Sequence, residues 1–184
     1  MRTRHAKNLP ALWLVTDERV APDALLKAAE RLPKGRGGVL FRHHASSARE
    51  RRRLFHQFIT VARRRRLTLL LAGNARQAAA WGADGWHGRE PGRAARPMAH
   101  SMAVHDAREL QVAQRAAADM IFLSPLFPTR SHPGERALGR LRFAALAHRA
   151  TMRVIALGGV GARQGMLLQG IGAAGWAAID GLTK

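Results

Sequence analysis

Short apolar runs alternate along this chain with longer stretches rich in alanine and arginine. The runs have the length of buried strands, and the stretches between them have the spacing of amphipathic helices. This alternation is typical of repeated β–α units around a parallel sheet. The eight predicted strands are Ala11–Thr16, Gly38–Arg42, Thr68–Ala72, Gly85–His87, Ala99–Val104, Met120–Ser124, Val154–Leu157 and Trp176–Ile179.

Six helices are predicted between the strands, several of them beginning at a capping residue such as Asp23, Ser46 or Asp106. Together with the strands they predict a small α/β (β/α)8 TIM barrel, with residues 1–184 forming a single domain. An open doubly wound sheet is the alternative, but it usually has fewer strands and a glycine-rich first turn. The predicted helices are Asp23–Leu32, Ser46–Arg66, Ala75–Trp81, Asp106–Ala117, Phe143–Arg149 and Ala162–Gly170.

Two places do not fit a regular barrel. Between the fourth and fifth strands, Gly88–Pro97 is too short and too rich in proline and glycine for a full helix, so the fourth unit is predicted to be shortened. After the eighth strand only Gly181–Lys184 remains, so the closing C-terminal helix is predicted to be missing. An exposed apolar rim at that place would favour a homodimer.

Composition narrows the class of protein. No apolar run approaches the ~18 residues that span a bilayer, and the first residues lack the apolar region of a secretory signal. We therefore expect a cytoplasmic protein that does not enter a membrane. Without cysteine, the chain has no thiolate nucleophile, and any metal would need histidine, aspartate or glutamate ligands.

The formal net charge of +19 makes a nucleic-acid-binding protein the first alternative to consider. The densest arginine runs, Arg49–Arg53 and Arg63–Arg66, flank the apolar stretch Leu54–Ala62, which predicts one amphipathic helix with a solvated basic face. No aromatic-rich strand that would stack on bases is present in the sequence. Nonspecific binding to polyanions at low salt is still expected.

Five segments along the chain form a recognisable ordered set. Together they resemble the thiamine phosphate synthase family, which includes the TenI-like proteins, over nearly the whole chain. The segments are Leu12–Asp17 (LWLVTD), Gly82–His87 (GADGWH), Val104–His105, Ser124–Thr129 (SPLFPT), and Gly158–Val160 followed by Gly172–Gly175.

The resemblance implies a site at the C-terminal ends of the strands, where barrel enzymes keep their chemistry. Synthase members join hydroxymethylpyrimidine diphosphate to a thiazole phosphate, with Mg²⁺ helping the diphosphate to leave. TenI-like members tautomerise a thiazole carboxylate phosphate or have no settled activity. The implied small-molecule partner is a phosphorylated thiazole or pyrimidine.

Candidate phosphate-binding residues follow the sixth and seventh strands. Gly158 and Gly159 have no Cβ, so their backbone N–H groups can approach an anion closely. In the loop after the sixth strand, Thr129 offers a hydroxyl, and Arg130 and His132 offer cationic donors. His132 stands where the family has a lysine. A tight turn and a proline-bounded surface loop would explain the same residues without a ligand.

The half of the site that the resemblance assigns to the pyrimidine diphosphate departs from the family pattern. Arg42 matches the family's arginine at the end of the second strand, and Asn74 matches its asparagine. Ala75 stands where the family has a metal-binding aspartate, and the second such aspartate falls near Pro91. Only Glu90 remains as a carboxylate for Mg²⁺, so no cofactor is predicted with certainty.

Histidines at the strand ends provide candidate acid–base groups. Imidazole titrates near neutral pH and can act as a general acid or base on a bound heteroaromatic ring. We take His44 and His105 as the candidate catalytic residues. Three hypotheses follow: a thiamine-pathway enzyme, either a synthase-like transferase or a divergent TenI-like protein; a noncatalytic ligand-binding or regulatory protein; and a basic nucleic-acid-associated protein.

Overall fold

In the computed structural model the eight strands are parallel and close into a barrel in chain order. The structure describes residues 9–90, 97–129, 136–165, 168 and 170–183. All eight predicted strands are present, and pairing of the first with the last excludes the open doubly wound sheet. The strands are β1 Leu12–Val15, β2 Gly37–Phe41, β3 Thr68–Ala72, β4 Gly85–His87, β5 Ala99–Val104, β6 Met120–Leu123, β7 Arg153–Ala156 and β8 Gly175–Ala178.

The helices surround this barrel. The predicted α5 begins too late, since the structure starts it at Gly139 rather than Phe143. The predicted α6 is present over Ala162–Gly165, and residues 166, 167 and 169 of its predicted range lie outside the described residues. The described helices are α1 Pro22–Arg31, α2 Ala48–Arg65, α3 Ala75–Trp81, α4 Ala107–Arg115, α5 Gly139–Ala147, α6 Ala162–Gly165 and α7 Asp180–Thr183.

Helix starts agree with the predicted caps at one position of three. Asp106 caps α4 by accepting from the Glu109 N–H. α2 is capped by Ser47 rather than Ser46, because Ser47 and Glu50 form a reciprocal capping box. α1 begins with Pro22, so Asp23 lies in its first turn.

The barrel interior is filled by side chains from alternate positions along the strands, such as Trp13 and Val15 of β1. Trp13 lies at its centre, fully buried, with its indole N–H donating to the Pro10 carbonyl at 2.8 Å. Its ring contacts Phe122 edge-on, with ring centroids 5.7 Å apart. Two further apolar clusters lie between the barrel and its helices, one behind β1–β4 and one behind β5–β8. A ligand site is therefore confined to the barrel ends and the loops.

The prediction of a solvated basic face on the arginine-rich helix α2 is wrong at one position. Arg49, Arg52 and Arg53 are exposed, as expected. Arg51 is buried, because it lies on the same helical face as Phe55. The arginine run therefore contains a buried, structural cation.

Both predicted departures from a regular barrel are visible. Among the described residues between β4 and β5 there is no helix, and residues 91–96 lie outside the described part. After β8 the single turn α7 takes the place of a full closing helix and packs against α1. The large apolar side chains exposed in the described part, Val112 and Leu141, lie on α4 and α5 rather than beside α7. The homodimer thus stays a prediction.

No helix in the described part of the chain is both long enough and apolar enough to span a membrane.

Candidate functional site

A cavity of about 270 Å³ opens at the C-terminal ends of β5–β8. Four of the predicted site residues, from three different loops, line it together. We call it the glycine cavity and define it by His105, Thr129, Gly158, Gly159, Gln164 and Asp180.

The paired glycines are required by close packing of the loop after β6. Gly158 and Gly159 have φ angles of +91° and +63°, a region that favours glycine. A Cβ on Gly158 would lie 2.8 Å from Pro125, and one on Gly159 would lie 2.6 Å from the Pro128 carbonyl oxygen. The N–H of Phe127 donates to the Gly158 carbonyl at 3.1 Å, which holds the two loops together.

The same turn presents backbone donors. Within the described part of the chain, no acceptor pairs with the N–H groups of Gly158, Gly159 and Val160. The next N–H, of Gly161, donates to the Gln164 side chain at 3.2 Å. Successive N–H groups on a turn with positive φ form a concave anion-binding surface. The packing and ligand interpretations of the glycines are therefore compatible.

His105 enters the glycine cavity from the loop after β5, held by α4. One carboxylate oxygen of Glu109 accepts from the His105 backbone N–H at 2.8 Å and lies 2.7 Å from Nδ1 of its ring. The other oxygen of Glu109 forms an ion pair with Arg89, which follows β4. The side chain of His105 is 44% exposed and that of Glu109 is 22% exposed. The imidazole is thus fixed by a partly buried carboxylate.

A carboxylate also lines the glycine cavity, at Asp180. Arg19 lies nearby and pairs with Asp17, the two side chains meeting at 2.8 Å. This hydrogen bond is the main cause of a raised pKa for Arg19, and Asp180 contributes a weaker attraction in the same direction. The negative charge of Asp180 is therefore partly balanced at the barrel mouth.

A second, more open cavity of about 530 Å³ lies at the ends of β2–β4. Apart from Arg42, the predicted site residues that do not line the glycine cavity and that the structure describes lie here. We call it the histidine cavity and define it by His44, Asn74, His87, Arg89 and Glu90.

The pKa values of both histidines of this cavity are lowered. Burial lowers the pKa of His87 to about 3, with a smaller contribution from the nearby charge of Arg42. Its Nδ1 lies 3.0 Å from the Ser101 hydroxyl, and Phe122 packs edge-on against the ring. Burial, followed by repulsion from Arg51 and Arg42, lowers the pKa of His44.

Arg51 connects the ends of two strands beneath the histidine cavity. Its guanidinium donates to the carbonyls of Arg42, just after β2, and of Ala72, at the end of β3. The same group lies over the rings of Phe41 and Trp81, at 5.9 and 5.3 Å from their centroids. Arg51 therefore fixes the backbone from which Arg42 and the following residues project.

The fold agrees with the comparisons to known proteins. The family model described as thiamine monophosphate synthase matches residues 12–182. The chain belongs to this family. The protein named "Putative thiamine-phosphate synthase 2" of Aquifex aeolicus (strain VF5) is 28% identical over 160 residues, which cover 83% of this chain and 86% of that protein.

Two solved structures share the fold. Thiamine phosphate pyrophosphorylase from Pyrococcus furiosus superposes with a TM-score of 0.78 at 19% identity, covering 98% of this chain and 90% of that one. The corresponding protein from Bacteroides thetaiotaomicron gives a TM-score of 0.64 at 16% identity, covering 95% and 84%. At these identities the likeness shows the barrel and carries no assignment of individual residues.

The residues of the histidine cavity do not fit the Mg²⁺ that the family resemblance implies. Asn74 caps α3, its side-chain oxygen accepting from the Gln77 N–H at 2.8 Å, and the next residue is Ala75. Glu90 is a single exposed carboxylate on this rim. In the described part of the chain, no group of three or more His, Asp or Glu side chains is arranged to hold a metal. Hard cations need several oxygen ligands, and this rim offers few.

The structure thus separates the predicted site residues into two groups. His105, Thr129, Gly158 and Gly159 share the glycine cavity, while His44, Asn74 and Glu90 share the histidine cavity. Arg42 is partly buried at the end of β2. Arg130 and His132 lie outside the described residues.

Sequence reasoning missed two residues that shape these cavities. Glu109 stands four positions after His105, a spacing that brings side chains together on a helix. Arg51 shares a face with the apolar residues of α2, which the arginine run obscures. The lowered pKa of His87 arises mainly from burial among neighbouring strands, so no local pattern could have revealed it.

Proposed function

We propose that this member of the family binds a phosphorylated thiazole in the glycine cavity. The observation that carries the proposal is the run of three N–H groups, from Gly158 to Val160, that lack acceptors in the described residues. They would donate to the phosphate oxygens, and the Thr129 hydroxyl lines the same cavity. Arg130 and His132 remain predicted cationic donors to this phosphate.

The proposed chemistry differs from that of the synthases. The donor set around Asn74 and Glu90 gives little support for metal-assisted departure of a diphosphate, so we propose a divergent, TenI-like protein with altered chemistry. In this scheme His105 is the proposed general acid or base, because the Glu109 carboxylate fixes its ring beside the ligand. His44 is a second proposed acid–base group, for a ring that extends into the histidine cavity.

Ligand-induced stabilisation tests the binding proposal. The purified protein is unfolded by heat with thiazole phosphate, thiazole carboxylate phosphate, pyrimidine diphosphate, thiamine phosphate or inorganic phosphate, each with Mg²⁺ and with a chelator. A ligand at ~100 times its Kd should add about 2.7 kcal/mol. We expect selective stabilisation by a thiazole phosphate that does not depend on Mg²⁺. Stabilisation by generic polyanions alone would contradict the proposal.

A matched pair of variants locates the binding. Thr129→Val removes a hydroxyl from the glycine cavity, and Thr60→Val removes one from the exposed face of α2. We expect Thr129→Val to weaken thiazole phosphate binding about tenfold, the value of one good hydrogen bond to a charged ligand. Thr60→Val should bind as the parent does. Equal affinity of both variants for thiazole phosphate would show that the ligand does not contact the Thr129 hydroxyl.

A noncatalytic role on the same fold is the second candidate, favoured by the sparse carboxylates around Asn74. Incubation with pyrimidine diphosphate, thiazole phosphate and Mg²⁺ separates the possibilities. Formation of thiamine phosphate would identify a synthase and contradict the proposed divergence. Conversion of thiazole carboxylate phosphate would support TenI-like chemistry. Binding without either conversion would favour the noncatalytic role.

A further inference from the structure

The hydrogen bonds around Glu109 determine which proton His105 can exchange. A carboxylate only accepts hydrogen bonds, so the Nδ1 atom that lies 2.7 Å from Glu109 carries a proton. In the neutral ring, Nε2 then has a lone pair and no proton. His105 therefore gains its second proton at Nε2.

This arrangement is unfavourable for an anion until the ring is protonated. His105 lines the glycine cavity together with the N–H groups of Gly158 and Gly159, so an anion bound there lies in the field of its ring. A lone pair on Nε2 would repel an anionic oxygen, whereas a protonated Nε2 would donate to it. Glu109 would stabilise the resulting imidazolium, and its ion pair with Arg89 keeps the carboxylate in place.

We propose that anion binding in the glycine cavity is coupled to proton uptake at His105, whose ring is held in place by Glu109 and Arg89. A dianion entering the glycine cavity draws one proton from solvent onto Nε2 of His105, and the proton returns to solvent when the anion leaves. Glu109 and Arg89 are positioning residues. This inference rests on the proposed anion site at Gly158–Val160.

Other charged groups lie near His105 on the neighbouring elements. Asp106 adjoins it and caps α4, accepting from the Glu109 N–H at 2.8 Å. Asp180 faces the same cavity from the end of β8, with Arg19 and Asp17 beyond it. These carboxylates disfavour a free dianion and favour an added proton, in the same sense as Glu109.

Sulfate is the probe, because it stays a dianion across the neutral range and so releases no proton of its own. Sulfate is titrated calorimetrically into the protein near pH 8, where a free imidazole is mostly neutral, in buffers of different ionisation enthalpy. The slope of binding enthalpy against buffer enthalpy gives the protons taken up. We expect about one proton per sulfate for the parent protein.

Variants identify the residue that takes up the proton when sulfate binds. His105→Gln should abolish uptake, and Glu109→Gln, which keeps the shape but removes the charge, should reduce uptake and weaken sulfate binding about tenfold. Arg89→Ala should weaken binding less, and Arg108→Ala, a loss of an exposed arginine from α4, should change neither quantity. Asp180→Asn should retain the uptake, since Asp180 is not the group that titrates in this proposal.

Nitrogen-15 shifts of the His105 ring give an independent readout that a purely structural role of Glu109 would not produce. The neutral ring should carry its proton on Nδ1 without sulfate and should become an imidazolium with sulfate. Sulfate binding without proton uptake would overturn the proposed coupling while leaving the anion site intact. Absence of sulfate binding in the parent protein would overturn both the proposed coupling and the proposed phosphate site.

Discussion

The two cavities at the barrel mouth are built from the same kind of strand end and offer a ligand different chemistry. In the glycine cavity, the donors are backbone N–H groups whose placement follows from packing of the β6 and β7 loops. In the histidine cavity, the chemistry lies in side chains that hold other structural roles, such as Asn74 as a cap. The glycine cavity therefore depends on two positions where an added Cβ would clash, whereas the histidine cavity depends on the identity of each side chain.

The largest expected loss of stability follows a substitution that disrupts the packing beside the glycine cavity. Gly159→Ala combines a φ of +63° with a Cβ 2.6 Å from the Pro128 carbonyl oxygen, so the free energy of unfolding should fall by about 2–4 kcal/mol. Gly35→Ala is the control, because Gly35 has a similar φ of +73° and no atom within 4 Å of the added carbon. It should cost about 1 kcal/mol in urea unfolding. Equal losses would mean that close packing is not the reason for Gly159.

Arg51 has the corresponding structural role beside the histidine cavity, where it joins the ends of β2 and β3. Arg51→Met keeps apolar contact with Phe41 and Trp81 but leaves the carbonyls of Arg42 and Ala72 without their donor. Relief of a buried charge offsets part of this loss, so we expect a net destabilisation of about 1–3 kcal/mol in urea unfolding. Arg52→Met, at an exposed neighbouring position, should change stability by less than about 0.5 kcal/mol. If both variants match the parent, Arg51 does not hold the two strand ends.

The fold could be predicted from the sequence because its signals are local. Strands of a parallel barrel are covered on both sides, so they read as continuous apolar runs such as Thr68–Ala72. The glycine pair was also visible, since glycine after a buried strand marks a turn or a close approach. The predicted start of α5 was wrong because no capping side chain marks it; Leu138 precedes the helix without a cap hydrogen bond.

The candidate site could be predicted only as a set of residues, because their grouping is nonlocal. The sequence predicts His44 and His105 as catalytic residues of one site, yet the structure places them in different cavities. His105 follows β5 and lines a cavity with the loops after β6, β7 and β8, whereas His44 follows β2 and lines a cavity with the loops after β3 and β4. The charge state of His87 likewise depends on burial by neighbouring strands rather than on its own sequence context.

The neutral histidines make stability depend on pH. The pKa of His87 is lowered to about 3 in the folded chain, below its ordinary value of 6.5, so between these pH values the unfolded chain binds a proton that the folded chain does not. Stability should therefore be complete above about pH 6.5 and fall on acidification, by at most about 1.4 kcal/mol per pH unit for this group. Burial also lowers the pKa of His43 and His100, which act in the same direction.

Urea unfolding at several pH values between 7.5 and 5 measures this slope, and the variant His87→Gln should reduce it whatever its effect on absolute stability. His56→Gln, an exposed substitution on α2, is the matched control and should leave the slope unchanged. A slope that is the same in all three proteins would show that His87 is not the buried neutral group. The histidine cavity would then be open to a cationic imidazole and hence to an anionic ligand.

The smallest expected effect decides whether Asn74 is a cap or a ligand-binding group. Asn74→Ala removes the acceptor for the Gln77 N–H and should cost about 1 kcal/mol in urea unfolding. Asn74→Ser keeps a capping oxygen but shortens the side chain, so it should restore most of the stability. If Asn74 serves only as a cap, pyrimidine diphosphate should bind Asn74→Ser as it binds the parent protein. A loss of affinity in both variants, with stability retained in Asn74→Ser, would instead make the histidine cavity a working half of the site.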